Sequence, residues 1–192
     1  MIRILPLFCC LAACSGAGAG GAGNPAPGDA FAALQDRVTV QGITPFATLP
    51  ETGDVAYDGR VRLTLPLGGA APSLYDGDLD LRVSFGTNPD PVTGSIGNLQ
   101  GAGGAVTGSL QIGDGVFYPI APERDYQFTA GLSGSLTQNA ISHVITAEMS
   151  GDFYGLQGAG VAGVIARGAV RQGDEIDVFD GSFGAERTAS GR

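Results

Sequence analysis

Few side chains in this sequence carry obvious chemistry, and each is weighed by its neighbours. His143 is the single histidine. It keeps the phase of Ile145, Ala147, Met149 and Phe153, which places it on an apolar, inward face. Two readings stay open for it: a haem or metal ligand, or a strand-end histidine hydrogen-bonded locally near the turn at Asn139. One histidine without a free thiol cannot complete a closed zinc site. A Ser-His-Asp triad would have to use His143, and no G-x-S-x-G elbow accompanies it. Asp76, Asp78 and Asp80 share one strand face, and Asp174, Glu175 and Asp177 cluster near a turn. The first set lacks the glycine and terminal glutamate of a calcium loop. Both are expected to be solvated faces. Tyr75, Tyr118, Tyr126 and Tyr154 could either form a binding surface at strand ends or cap a core. No catalytic residue and no metal ligand is assigned, no cofactor is expected, and the ligand-binding residues stay unknown. The chain is therefore expected not to be an enzyme.

Cysteine chemistry points instead to an anchor. The three cysteines are Cys9, Cys10 and Cys14. Arg3 and the apolar run 4–13 have the make-up of a secretion signal and are too short to span a bilayer. The run ends in Leu11-Ala12-Ala13-Cys14, which resembles a bacterial lipobox. Small residues let the backbone enter the signal peptidase, and the thiol carries diacylglycerol. Cleavage leaves Cys14 as an acylated, palmitate-bearing N-terminus, and several acyl chains give stable anchoring. Ser15 after the cysteine suits sorting to the outer membrane. Lipidation of Cys14 thus implies the membrane as a partner. The alternative is a plain secretory signal cut near Ala17 or Ala19.

Composition narrows the rest. The chain has 192 residues, 33 of them glycine, which disfavours a helical domain. Its formal net charge is −9 and its pI near 4.3, which argues against nucleic acid as a partner. Residues 1–13 are the signal. Residues 14–30 are a Gly/Ala/Pro-rich tether. Residues 31–54 are a short irregular lead-in, with a helical turn at Phe31 to Leu34 and prolines at 45 and 50 that preclude anything long.

From residue 55 to 187 the pattern is that of strands. Val55, Tyr57, Gly59, Val61, Leu63, Leu65 and Leu67 alternate with Asp58, Arg60, Arg62 and Thr64. Leu79, Leu81, Val83 and Phe85 alternate with Asp78, Asp80 and Arg82, predicting an antiparallel hairpin with cross-strand ion pairs outside. Further strands are expected over 92–99, 106–112, 125–138, 141–154, 160–170 and 176–185. Eight strands with recurrent interior glycine predict an all-β fold, a single eight-stranded antiparallel barrel. Arg and Asp on its outward faces argue against burial of the barrel in lipid.

Gly151-Asp152-Phe153-Tyr154-Gly155, then Gly160-Val161-Ala162-Gly163, then Phe179 to Arg187 (FDGSFGAER) resemble the barrel domain of the transferrin-binding protein B family. Tyr57-Asp58-Gly59 is similar to that family's opening strand, as is the stretch from Leu79 to Phe85 followed by Val92 to Ile96. Glu186 stands where the family has lysine, and one barrel replaces two lobes. The resemblance implies an eight-stranded barrel on a lipid-anchored outer-membrane protein. It also implies a protein or small-molecule ligand at the barrel loops, with iron, haem or solute acquisition among the roles. The function expected is a non-catalytic ligand- or protein-binding module at the cell surface. The alternative is a structural lipoprotein facing the periplasm.

Overall fold

The computed structural model describes residues 27–67, 71–119 and 125–188. Eight long antiparallel strands close a barrel, with one two-residue strand added. In chain order these are β1 (Gly53–Leu65), β2 (Ser73–Phe85), β3 (Val92–Gly101), the short β4 (Gly104–Ala105), β5 (Thr107–Phe117), β6 (Phe128–Gln138), β7 (Ile141–Tyr154), β8 (Gly160–Gln172) and β9 (Glu175–Arg187). Each long strand pairs with the next, and β9 returns to β1 from Tyr57↔Arg187 to Thr64↔Asp180. This up-and-down closure leaves no long edge to recruit another chain.

Alternation in the sequence becomes inside and outside. Val55, Tyr57, Val61, Leu63 and Leu65 of β1 are buried, as are Leu79, Leu81 and Val83 of β2. They meet Ile96, Leu110, Leu132, Ile145, Ile165 and Phe183 in one continuous core. Side chains therefore fill the interior, as eight strands permit. Charged groups line the outer wall. Arg62 grips Asp76 with two hydrogen bonds of 2.7 and 2.9 Å, Arg60 lies 3.7 Å from Asp78, and Arg82 lies 4.0 Å from Asp54.

The upper rim, where β1 begins, is closed by aromatics. Phe46 packs edge-on against Phe117 at 5.7 Å, and Phe85, Phe128, Phe153 and Phe183 continue the cluster inward. Gly151 makes room for it. A methyl group there would lie 2.7 Å from the Phe183 ring and 2.9 Å from Phe128. The Tyr57 hydroxyl donates to the Gly158 carbonyl at 2.9 Å, and burial pushes its pKa up to about 12. The lower rim carries the β1–β2, β6–β7 and β8–β9 turns.

Two expectations are corrected. Residues 31–54 are not simply irregular: α1 (Pro27–Thr39) is a helix of 13 residues, and it takes in the end of the expected tether. Proline suits a helix start because its missing N–H has no partner to lose there. Phe31, Leu34 and Val38, spaced three and four apart, are buried against the outer wall. Leu34 and Val38 pack with Ala162 and Tyr154, and Gly160 and Gly184 flatten the seat under Val38 and Gln35. Phe31 lies under the Arg62 guanidinium, 4.7 Å from ring centroid to carbon. Arg37 donates twice to Glu186, at 3.2 and 3.1 Å, so the residue that departs from the resembled family's lysine pairs with the helix.

The second correction concerns strand limits. β5 runs on to Phe117 and β2 starts at Ser73, while β6 starts only at Phe128. A bulge between Gly113 and Val116, with Asp114 at φ 54°, shifts the alternation of β5 halfway along. Among the described residues Asp80 joins no ion pair with an arginine. It lies across from Asp58.

Candidate functional site: an aromatic and acidic cleft at the upper rim

The site grows from the way the lead-in is stitched to the barrel. After α1 the chain bends at Gly42, whose φ of 75° suits glycine. It then pairs briefly with the end of β7, Ile43 against Tyr154. The Thr44 amide donates to the Phe153 carbonyl at 2.7 Å, and its hydroxyl donates to the Gly155 carbonyl. Gln127, just before β6, ties three pieces together. Its side-chain amide donates to the Thr44 carbonyl at 2.7 Å and accepts from the Phe153 amide at 2.8 Å. Its backbone amide is shared between the Gly151 carbonyl and Asp152 Oδ1, at 3.1 and 3.0 Å.

This stitching holds open a cleft of about 380 Å³. Ile43, Thr44, Pro45 and Phe46 form one wall, and Tyr118, Pro119, Tyr126 and Gln127 the other. Asp125 and Asp152 supply its charge. Asp152 is only 8% exposed, and burial pushes its carboxyl pKa upward while the Gln127 amide opposes that shift. Tyr154 is half-buried beside it. Burial, then Asp152, then Tyr126 raise its phenol pKa. Tyr118 reaches Thr129 at 3.4 Å. Ile43 is 58% exposed, an apolar residue left open at the mouth. Among the described residues, no arginine forms an ion pair with Asp125 or Asp152.

A larger cleft of about 710 Å³ lies on the outer wall beside β1, β2 and β3. Its charged groups are already paired: Arg62 with Asp76, Arg60 with Asp78, and Asn98 donating to Asp78 at 2.9 Å. Paired groups of this kind have little left to offer a ligand, so the smaller cleft is the better candidate.

Of the four tyrosines singled out by sequence, the structure gathers Tyr118, Tyr126 and Tyr154 at this rim. Tyr75 is not among them. It is buried inside the opposite end of the barrel, hydrogen-bonded to Gln138 at 3.0 Å. His143 also faces inward, 1% exposed, and among the described residues neither ring nitrogen has a hydrogen-bond partner. That excludes the locally bonded reading of His143 and places it away from the cleft. Asp76 and Asp78 are paired on the outer wall, and Asp174, Glu175 and Asp177 lie exposed at the lower rim. Among the described residues no three His, Cys, Asp or Glu side chains come together as a metal site. Cys14, the lipidation candidate, lies outside the described residues.

Sequence reasoning missed Asp152, Gln127 and Ile43 as site residues. Asp152 is a charged residue between Gly151 and Phe153, in a stretch where β7 is buried on both faces. A charge at such a place was the available signal. Gln127 and Ile43 sit outside regular strands and carried none. No family model and no curated protein matches this chain.

Proposed function

We propose that this chain is an outer-membrane lipoprotein, acylated at Cys14, whose barrel is a non-catalytic module that binds a partner protein at its upper rim. It is akin in architecture to the transferrin-binding protein B barrel. The observation that carries the binding reading is the upper-rim cleft: aromatic, acidic, stitched rigid, and set on a barrel whose interior is already filled. Among the described residues the apolar core fills most of the interior, so recognition falls to the surface. Tyrosine-rich surfaces suit protein partners.

Two further features support the setting. The outer wall bears charged side chains and the interior is apolar, the inverse of a barrel that faces lipid. The helix also gives the barrel a direction. α1 runs from Phe31, beside Arg62 in the lower half of β1, up to Val38 beside Gly160 at the upper rim. The helix thus begins beside the lower half of the barrel wall. On the tether reading of residues 14–30, this start favours a cleft turned away from the membrane.

The test has two arms. Growth with labelled palmitate should mark the native chain and leave Cys14→Ala unlabelled and released from the membrane fraction. Protease added to intact cells should digest a C-terminally tagged barrel. Digestion only after permeabilisation would replace the surface reading with a periplasmic structural role.

A further inference from the structure

Resting on that reading, we infer that the upper-rim cleft accepts an arginine side chain from the partner protein. Three features of the cleft converge on this chemistry. Asp125 and Asp152 bring negative charge with no arginine pairing either of them among the described residues. Asp152 is nine-tenths buried, and Gln127 is the partner of only one of its oxygens. A buried carboxylate with an open oxygen gains most from a charge-assisted bond. Tyr118 and Tyr126 flank the same space. Aromatic faces next to carboxylates suit a flat, weakly hydrated guanidinium better than a compact ammonium. Both polar atoms of the Gln127 side chain are engaged, which fixes that wall, so the cleft needs little reorganisation to bind.

The chain's own arginines show the same pattern once. Arg62 lies over the Phe31 ring while Asp76 accepts two hydrogen bonds from it. The cleft likewise sets carboxylates beside aromatic rings.

The experiment titrates the intact mature chain, by NMR, with a blocked Gly-Arg-Gly peptide and its citrulline counterpart, at low salt and at about 0.3 M. Citrulline keeps the shape and loses the charge. The expected result is saturable shifts of the Tyr118, Tyr126 and Tyr154 rings with the arginine peptide. Citrulline binding should be at least tenfold weaker, and added salt should weaken the arginine peptide severalfold. Asp152→Asn should lose about tenfold. Its amide oxygen can still accept from Gln127, and circular dichroism checks the fold. Asp125→Asn, whose side chain lies at the cleft without a described hydrogen bond, is the second variant and should lose severalfold. Equal binding of both peptides, or no shifts at all, overturns the inference. Tetramethylammonium binding as tightly as the arginine peptide overturns it in favour of a small quaternary cation.

A photo-crosslinker at Ile43, with one at Val178 on the outer wall as control, separates this failure from that of the binding module. Protein captured at Ile43 alone, with no preference for arginine, removes the arginine assignment and leaves the module. Capture at neither position removes both.

Discussion

Asp58 and Asp80 face each other across the β1–β2 ladder, and among the described residues neither joins an ion pair. Partial desolvation, and then the charge of Asp58, hold the Asp80 carboxyl above its ordinary range. A raised carboxyl in the folded state means that ionisation opposes folding, so this pair costs stability at neutral pH and the cost fades as pH falls. Asp80→Asn should therefore raise the melting temperature at pH 7, by an amount equivalent to roughly 0.2–1 kcal/mol, and should do little at pH 3.5. His143 works in the opposite sense. Its ring is sealed from water without a hydrogen bond, and burial lowers its pKa from 6.5. The unfolded chain then binds the proton more readily than the fold does. The stability present above about pH 6.5 is lost as pH falls through the lowered folded pKa. His143→Leu removes an unpaired polar group and should stabilise the barrel at pH 7 by roughly 1 kcal/mol. Thermal melts between pH 7.5 and 5 should show a shallower acid-side decline for the variant than for the native chain. A parallel decline would mean that His143 titrates alike in the folded and unfolded chain.

At the scale of elements, the β6–β7 hairpin turns on Asn139 and Ala140, both at positive φ, 50° and 63°. That is the backbone of a tight primed turn, where Asn-Gly is the favoured pair. Ala140 carries a methyl group in the left-handed region, so Ala140→Gly should stabilise the fold by about 1 kcal/mol in denaturant unfolding. The same turn shows what could be read from sequence. Asn139 marks it, and the period-two runs on either side mark β6 and β7, because a half-buried strand must alternate. Eight strands and a closed barrel follow from such runs. The helix was hidden by its shortness: Phe31, Leu34 and Val38 give only three apolar contacts among alanines and polar residues. The run of β5 was cut short because a bulge swaps inside for outside. The cleft was half legible. Tyr118, Tyr126 and Tyr154 announce themselves as aromatics at strand ends. Their union with Asp152 depends on Gln127 bridging Thr44 and Phe153, pairs far apart along the chain. No local pattern encodes such a contact.

For the whole molecule, the proposed division of labour is between a packed interior and a surface that binds. The apolar core holds the eight strands in one shape without disulfides: the only cysteines, Cys9, Cys10 and Cys14, lie outside the described residues. Function, on the reading proposed here, then rests on the rim and on the direction in which the helix hands the chain to its anchor. If the tether sets that direction, lengthening it should leave binding to a soluble partner unchanged. Capture of a partner bound to a facing surface should fall, since a longer spacer lowers effective concentration. Surface plasmon resonance with the lipoprotein held in a supported bilayer would read both.

The seam between β1 and β9 has a consequence for how the chain is made. Its partners, such as Val61 and Phe183, lie more than a hundred positions apart, and every other long-strand pairing can form before this one. The barrel is therefore completed by its final strand. Until β9 arrives, β1 offers an unpaired edge and the core stays open to water. Non-local closure of this kind is slow, and an exposed edge invites association with other chains. If the chain is exported as proposed, that interval is when it is most open to association with other chains. The arrival of the closing strand sets how long the exposure lasts.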